Sequence, residues 1–148
     1  MALILIADDD ELVVDLVRAA LGARGHIVGA VDDGMPVASI VEFKRPELVI
    51  LDCDMPELCG IEALRKIRAL PDAYATPVLI LTACRGEFEK DMAMRAGAND
   101  YLRKPFDSDQ LVSRVETLLR RGALQNQPAP PPPMLRPLPQ APRAWGQR

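Results

Sequence analysis

The chain has 148 residues, and its 18 Lys and Arg against 21 Asp and Glu give a formal net charge of −3. This length permits one domain with an ordinary core and excludes two. The charge is unevenly spread, because no acidic residue follows Glu116 and eight of the 14 prolines lie between Pro128 and Pro142. We therefore predict an acidic folded domain over residues 1–121 and a disordered, basic, proline-rich tail over residues 122–148.

The charge and the cysteine content limit the possible functions of the protein and its cellular compartment. Residues 1–121 contain all 21 acidic residues and 15 of the 18 basic ones, so we expect no nucleic-acid binding through phosphate neutralisation. The apolar start, Ala2–Ala7, is too short to span a membrane and has no basic residues before it, so we expect no membrane association. The three cysteines lack C-x-x-C spacing, which indicates free thiols and a cytoplasmic protein. They are Cys53, Cys59 and Cys84.

Five short apolar runs predict β-strands separated by helices. Three of the runs are apolar at every position, which is typical of strands covered on both faces of a parallel sheet. The alternation predicts an α/β fold, a doubly wound five-stranded parallel sheet with right-handed crossovers. The predicted strands are Leu3–Ala7, Ile27–Val31, Leu48–Leu51, Val78–Leu81 and Asp100–Leu102.

Apolar residues at helical spacing predict the buried faces of the first and last helices. The first face comprises Leu12, Val13, Leu16, Val17, Ala20 and Leu21, and the last comprises Leu111, Val112, Val115, Leu118 and Leu119. Asp10 is expected to cap the first helix, and Asp107 or Ser108 the last.

Polar residues follow the predicted strands at their carboxyl ends, where doubly wound sheets bind ligands. Asp8 and Asp9 follow the first strand, Asp52 the third, Thr82 the fourth and Lys104 the fifth. Capping alone would explain the first two acids, but carboxylates gathered at one edge favour a shared hard cation such as Mg²⁺. No glycine-rich nucleotide loop follows any strand. The pattern predicts a site for one phosphoryl group, with an aspartate as acceptor, a hydroxyl donor and an ammonium group.

Four segments, in this order, resemble the receiver domain of bacterial two-component response regulators. They are Ile4–Asp10, Pro46–Pro56 with Gly60, Pro77–Ala83 and Gly97–Phe106. The resemblance covers about residues 2–121. It implies a CheY-like, flavodoxin-like (βα)5 fold with strand order 2-1-3-4-5.

The resemblance also implies a phosphorylation site. Asp52 would accept a phosphoryl group from the phosphohistidine of a sensor histidine kinase or a phosphotransfer protein. Asp8 and Asp9 would hold Mg²⁺ together with Asp52 and the main-chain carbonyl of Asp54. The phosphoryl oxygens would be bound by Thr82 and Lys104.

By the same resemblance, Tyr101 is the switch residue that turns inward, and the Lys104-Pro105 peptide bond is cis. Taken alone, Tyr101 would be an ordinary half-buried strand residue. Asp54 and Cys84 depart from the commonest family pattern and flank the path of a hydrolytic water. We predict that they set the lifetime of the phosphorylated state, unless both side chains face solvent.

The resemblance implies a signalling protein with self-catalysed phosphotransfer and autodephosphorylation rather than an ordinary enzyme. We expect a stand-alone receiver that contacts a downstream target protein through its fourth helix, fifth strand and fifth helix. These elements are placed at about Glu87–Ala96, Asp100–Leu102 and Asp107–Arg120. The tail segment Arg136–Pro142 has the spacing of a ligand for SH3-like domains, although proline-rich segments produce such matches by chance.

Two alternatives belong to other classes. A phosphatase of the haloacid dehalogenase kind also has a strand that ends in D-x-D, here Asp52-Cys-Asp54, and would use Asp107 and Asp109 as late acids. Pro56 replaces its usual Thr or Val, and the chain leaves no room for a cap domain. A binding module that no longer needs phosphorylation is disfavoured, because all five polar residues of the predicted site are present.

Overall fold

The computed structural model describes residues 1–55, 58–73, 75–83 and 86–125. Strands and helices alternate five times over these residues, as the sequence predicts. In chain order they are β1 (Leu3–Ala7), α1 (Glu11–Gly22), β2 (Ile27–Val31), α2 (Val37–Lys44), β3 (Leu48–Asp52), α3 (Gly60–Arg68), β4 (Val78–Thr82), α4 (Glu87–Arg95), β5 (Asp100–Arg103) and α5 (Ser108–Gln125). Among the described helices, none is long and apolar enough to cross a membrane.

The last helix extends further than the sequence predicts. α5 continues to Gln125, past the predicted domain boundary at Arg121, and Gly122 packs near the ring of Pro77. Residues 126–148, and with them the SH3-like match, lie outside the described residues. The tail therefore remains a prediction.

The five strands form one parallel sheet in the order β2-β1-β3-β4-β5. Alternate side chains of β1 point to opposite faces, so that Ile4 and Ile6 lie in one core layer and Leu5 and Ala7 in the other. Helices α1 and α5 cover the first face, and α2, α3 and α4 the second. β3 and β4 are buried at every position, which explains why residues 48–51 and 78–81 are continuously apolar.

The predicted buried face of α1 is partly wrong. Val17 and Leu21 are fully buried, but Leu12 is 80% exposed and Leu16 is 37% exposed. The row that packs on the sheet runs through Val13, Val17 and Leu21 at i, i+4 spacing. Leu12 and Leu16 each precede a residue of that row by one position, which is about 100° of helix rotation. Their side chains therefore lie outside the buried face of the helix.

A reciprocal pair of hydrogen bonds caps the amino end of α5. The Oδ1 atom of Asp107 accepts from the backbone N–H of Gln110 at 2.8 Å, and the Oε1 atom of Gln110 accepts from the N–H of Asp107 at 3.3 Å. We expect Asp107→Ala to lower the free energy of unfolding in urea by about 1 kcal/mol, because the N–H of Gln110 loses its acceptor. Asp109→Ala, also exposed in the first turn, is the control and should cost less. Equal losses in the two variants would contradict a specific capping role.

Candidate functional site

The first two acidic residues of the site follow β1. The backbone N–H of Asp8 bonds the carbonyl oxygen of Val31 at 3.0 Å, which continues the strand pairing and buries Asp8 to 2% exposure. Asp9 is exposed. Asp10 caps α1 through its Oδ1 atom, which accepts from the N–H of Leu12. The prediction that Asp10 is a helix cap is confirmed.

Asp52 is the last residue of β3 and is only 4% exposed. Its Oδ1 atom accepts a hydrogen bond from the backbone N–H of Asp54 at 3.3 Å. The chain then folds back tightly, since a Cβ atom at Gly60 would collide with the carbonyl oxygen of Asp52. Only glycine permits this approach of the start of α3 to the end of β3.

Lys104 brings a positive charge to these carboxylates. Its Nζ atom lies 2.8 Å from Oδ2 of Asp8 and 3.5 Å from Oδ1 of Asp52. Its backbone N–H bonds the carbonyl oxygen of Thr82 at 2.7 Å, which fixes the lysine beside the end of β4. The Lys104-Pro105 bond is cis, as the resemblance implies.

The clustered charges shift two pKa values. Burial, followed by the negative charge of Asp8, raises the pKa of Asp52 to about 6, while Lys104 and the Asp54 N–H limit the rise. Burial alone would lower the pKa of Lys104, but its hydrogen bond to Asp8 and the charges of both carboxylates outweigh burial and raise it. The site therefore holds its lysine firmly protonated beside a carboxylate that is reluctant to ionise.

Three carboxylates form a donor set for a cation. Asp8, Asp9 and Asp52 each offer an oxygen atom, and these atoms lie within 4.8 Å of one another. Carboxylate oxygens are the ligands that Mg²⁺ prefers, and a set with two buried members and one exposed member leaves room for water ligands. The residues present fit this ion.

The remaining predicted residues differ in exposure. Thr82 is fully buried at the end of β4, and Tyr101 is 6% exposed and packs in the core layer under α2, α3 and α4. The side chain of Asp54 is exposed, while Cys84 lies outside the described residues. Tyr101 is thus more buried than an ordinary half-buried strand aromatic.

One contact of the site was not predicted from the sequence. The Nζ atom of Lys104 lies closer to Asp8 than to Asp52, although the family resemblance implied only that the lysine binds the phosphoryl oxygens. A signal for the pair was available, since β1 and β3 are neighbours, Asp8 directly follows β1 and Asp52 ends β3. The sequence does not show how far the lysine side chain extends, and this determines which of the two carboxylates it contacts more closely.

The described residues define a class, the flavodoxin-like domains that carry clustered aspartates and a lysine at the carboxyl edge of a parallel sheet. Residues 4–116 match the family model of the response regulator receiver domain, and the chain belongs to that family. This result removes the phosphatase alternative.

Among curated proteins, the chain is 38% identical over 128 residues to the response regulator MprA of Mycobacterium sp. (strain KMS), covering 86% of this chain and 55% of the relative. It is 39% identical over 118 residues to MprA of Mycobacterium leprae (strain TN), covering 80% of this chain and 51% of the relative. The chain thus spans about half the length of the curated relatives it matches.

Solved structures show the same fold. A response regulator from Chloroflexus aurantiacus is 32% identical, with a TM-score of 0.78, covering 81% of this chain and 98% of its own. The receiver domain of a sensor histidine kinase from Pseudomonas aeruginosa PAO1 is 30% identical, with a TM-score of 0.75, covering 80% of this chain and 98% of its own. That structure is described with a magnesium ion coordinated in its active-site cleft.

Proposed function

We propose that this receiver is a phosphorylation switch that accepts a phosphoryl group on Asp52 from the phosphohistidine of a sensor histidine kinase or phosphotransfer protein. The observation that carries the proposal is a carboxylate of 4% exposure at the carboxyl edge of the sheet, with a lysine ammonium 3.5 Å from it. A carboxylate beside an ammonium group and two further carboxylates, at the sheet edge where doubly wound folds bind ligands, suits acceptance of a phosphoryl group better than a structural role.

In the proposed reaction, an ionised carboxylate oxygen of Asp52 attacks the phosphorus atom of the donor. The new O–P bond forms as the donor P–N bond breaks, and the imidazole nitrogen keeps the electron pair. The Lys104 ammonium and the Thr82 hydroxyl bind the phosphoryl oxygens as negative charge moves to them. Protonation of Asp52, whose pKa is about 6, removes the nucleophile. A cation held by the same carboxylate would favour its ionised form, so in Mg²⁺ phosphorylation should slow only at a pH below that value.

The proposed cofactor is Mg²⁺, held by Asp8, Asp9 and Asp52 with the main-chain carbonyl of Asp54. When bound, it would neutralise carboxylate charge and, as a Lewis acid, stabilise negative charge on the phosphoryl group. The side chains themselves prepare this site, because Asp8 and Asp52 are buried and already oriented by the N–H groups of Asp10 and Asp54.

The proposed output is a change of surface that a target protein reads by direct contact. Thr82 moves toward the phosphoryl group, and Tyr101 is the switch residue between the site and the face formed by α4, β5 and α5. Ion pairs join these elements, Arg103 to Glu87 at 3.1 Å and Arg114 to Asp100 at 2.7 Å. A displacement of β5 would therefore reach both helices.

The proposal includes a cytoplasmic location, which is supported by Cys59, whose thiol forms no disulfide. Self-catalysed phosphotransfer and autodephosphorylation, with a lifetime set by Asp54 and Cys84, also belong to the proposal. A stand-alone arrangement and the absence of nucleic-acid binding stay predictions, because the matched relatives are about twice as long as the matched region.

The direct test is incubation of the full chain with acetyl phosphate and Mg²⁺, followed by intact-mass measurement. We expect one added phosphoryl group on the wild type and none on Asp52→Asn. Asp54→Asn, a neighbouring exposed carboxylate, is the matched control and should still be labelled. An unlabelled wild type, or equal labelling of Asp52→Asn, would refute the proposed acceptor.

The role of the cation is tested by running the same labelling reaction without a metal ion. We expect Mg²⁺ to raise the melting temperature of the wild type and EDTA to abolish labelling. Asp9→Asn should weaken Mg²⁺ binding at least about tenfold, since it removes one of three carboxylates. Asp10→Asn keeps a capping side chain at the next position and should bind Mg²⁺ as the wild type does. Undiminished labelling in EDTA would contradict the cation role.

A further inference from the structure

A groove at the amino edge of the sheet begins at the last turn of α5. It has a volume of about 310 Å³, and its lining includes Glu47 and Pro77, just before β3 and β4, together with Gly122 and Ala123. Gly122 offers no side chain to block the entrance, and a Cβ atom there would lie 3.2 Å from Cγ of Pro77. The chain therefore leaves the described domain at one end of this groove.

The groove continues between α2 and the segment after α3. A second pocket of about 70 Å³ extends it toward Leu70 and Pro71. The two pockets share four lining residues, which makes them one continuous depression. These residues are Val41, Arg45, Asp72 and Ala73.

The groove has an apolar floor and an acidic rim. Its floor consists of buried residues, namely Val41, Pro46, Ala73 and Pro77. The rim carries three exposed carboxylates against one exposed base, namely Glu42, Glu47 and Asp72 against Arg45. The base lies 3.3 Å from one of these carboxylates with both side chains at least 69% exposed, so this ion pair exchanges readily with other partners.

We propose that the segment Pro128–Pro139 of the same chain lies in this groove. The segment starts three residues after the end of α5, carries Arg136 as its single charge and contains seven prolines. Proline-rich chains favour an extended helix with apolar rings and unpaired carbonyl groups, which suits a shallow apolar floor. Arg136 complements the acidic rim, and the covalent tether raises the local concentration of the segment.

The placement has a consequence for the phosphorylation site. The groove lies before β3 and β4, at the opposite edge of the sheet from Asp52 and Lys104. A docked tail would leave the site open to a phosphodonor while hiding its own Arg136–Pro142 motif from SH3-like partners. The proposal does not depend on phosphorylation and can fail or hold separately from it.

The test uses ¹H–¹⁵N spectra of the full, unphosphorylated chain. We expect Arg136→Glu to shift the amide resonances of Gly122 and Ala123, and adding Asp72→Lys to return them toward their wild-type positions. Arg148→Glu makes the same charge change outside the docked segment and is the matched control. In the wild type, the amides of Leu135 and Leu138 should show restricted motion that Arg136→Glu abolishes.

Three outcomes separate the proposal from its rivals. Groove shifts that are independent of protein concentration and specific to Arg136→Glu support docking within one chain. Shifts that grow with protein concentration would instead place the tail of a second copy in the groove. Identical groove resonances in the wild type and Arg136→Glu would overturn docking altogether.

Discussion

Replacing Asp52 by Asn is expected to stabilise the metal-free fold at neutral pH by about 2 kcal/mol. Burial and the charge of Asp8 raise the pKa of Asp52 from 3.8 to about 6, so the ionised carboxylate is less favourable in the folded chain than in the unfolded one. Asn removes this charge and keeps an oxygen acceptor for the Asp54 N–H. The 3.5 Å contact with Lys104 lowers the pKa of Asp52, but the net shift is still upward. Losing this contact therefore does not cancel the expected gain in stability.

The raised pKa of Asp52 also predicts how the stability of the fold changes with pH. Because the pKa is higher in the folded state, folded Asp52 keeps its proton between pH 3.8 and about 6 while the unfolded residue has lost it. Its contribution to stability therefore falls as pH rises through this window and stays low above it. Urea unfolding across this range should show a decline in the wild type that Asp52→Asn removes.

The exposed carboxylate Asp54 supplies the control for this measurement, and Asp54→Asn should change stability by less than about 0.5 kcal/mol. Saturating Mg²⁺ should narrow the difference between Asp52→Asn and the wild type, because the cation compensates the buried charge. A destabilised Asp52→Asn protein at neutral pH would show that the Lys104 contact outweighs the cost of burying the carboxylate.

The second large effect is expected at Arg68, the last residue of α3. Its guanidinium bonds the carbonyl oxygen of Gly97 at 2.8 and 3.0 Å, that of Thr76 at 2.6 Å and Oδ1 of Asn99 at 2.7 Å. The same Asn99 oxygen accepts from the N–H of Val78 at the start of β4. Arg68 thus joins α3 to the segments that lead into β4 and β5. The partial burial of its guanidinium lowers its pKa.

We expect Arg68→Ala to lower the free energy of unfolding by about 2–4 kcal/mol, because several charge-assisted hydrogen bonds disappear together and their acceptors lose a partner. Arg65→Ala is the matched control on the same helix. Its ion pair with Glu62 is 2.9 Å long but about half exposed, and such pairs contribute at most about 0.5 kcal/mol. Similar losses in the two variants would show that Arg68 acts as a surface charge.

The pattern of apolar residues predicts the elements of this fold well where burial is complete, and less well where an element is partly exposed. β3 and β4 are apolar on both faces, so their positions follow from composition alone. α1 has apolar residues on more than half of its circumference, and the sequence cannot tell that Val13 faces the sheet while Leu12 faces solvent. Only the packing of the helix against its neighbours decides its rotation.

The candidate site could be predicted because strand ends converge in a parallel sheet. Asp52 and Lys104 are 52 residues apart in the sequence, yet Asp52 ends β3 and Lys104 follows β5, so both reach the same edge. Arg68 escaped prediction for the opposite reason. Its partners are main-chain carbonyl groups and one amide, which every sequence contains and no motif marks.

The two oxygen atoms of Asp8 have separate partners, Oδ1 the N–H of Asp10 and Oδ2 the ammonium of Lys104. This carboxylate is therefore fixed in both position and rotation before any phosphodonor or cation arrives. The rotational entropy of its side chain is lost during folding rather than during binding. A ligand that binds Oδ2 of Asp8 therefore meets an oriented carboxylate, and its binding requires exchange of the Lys104 ammonium contact.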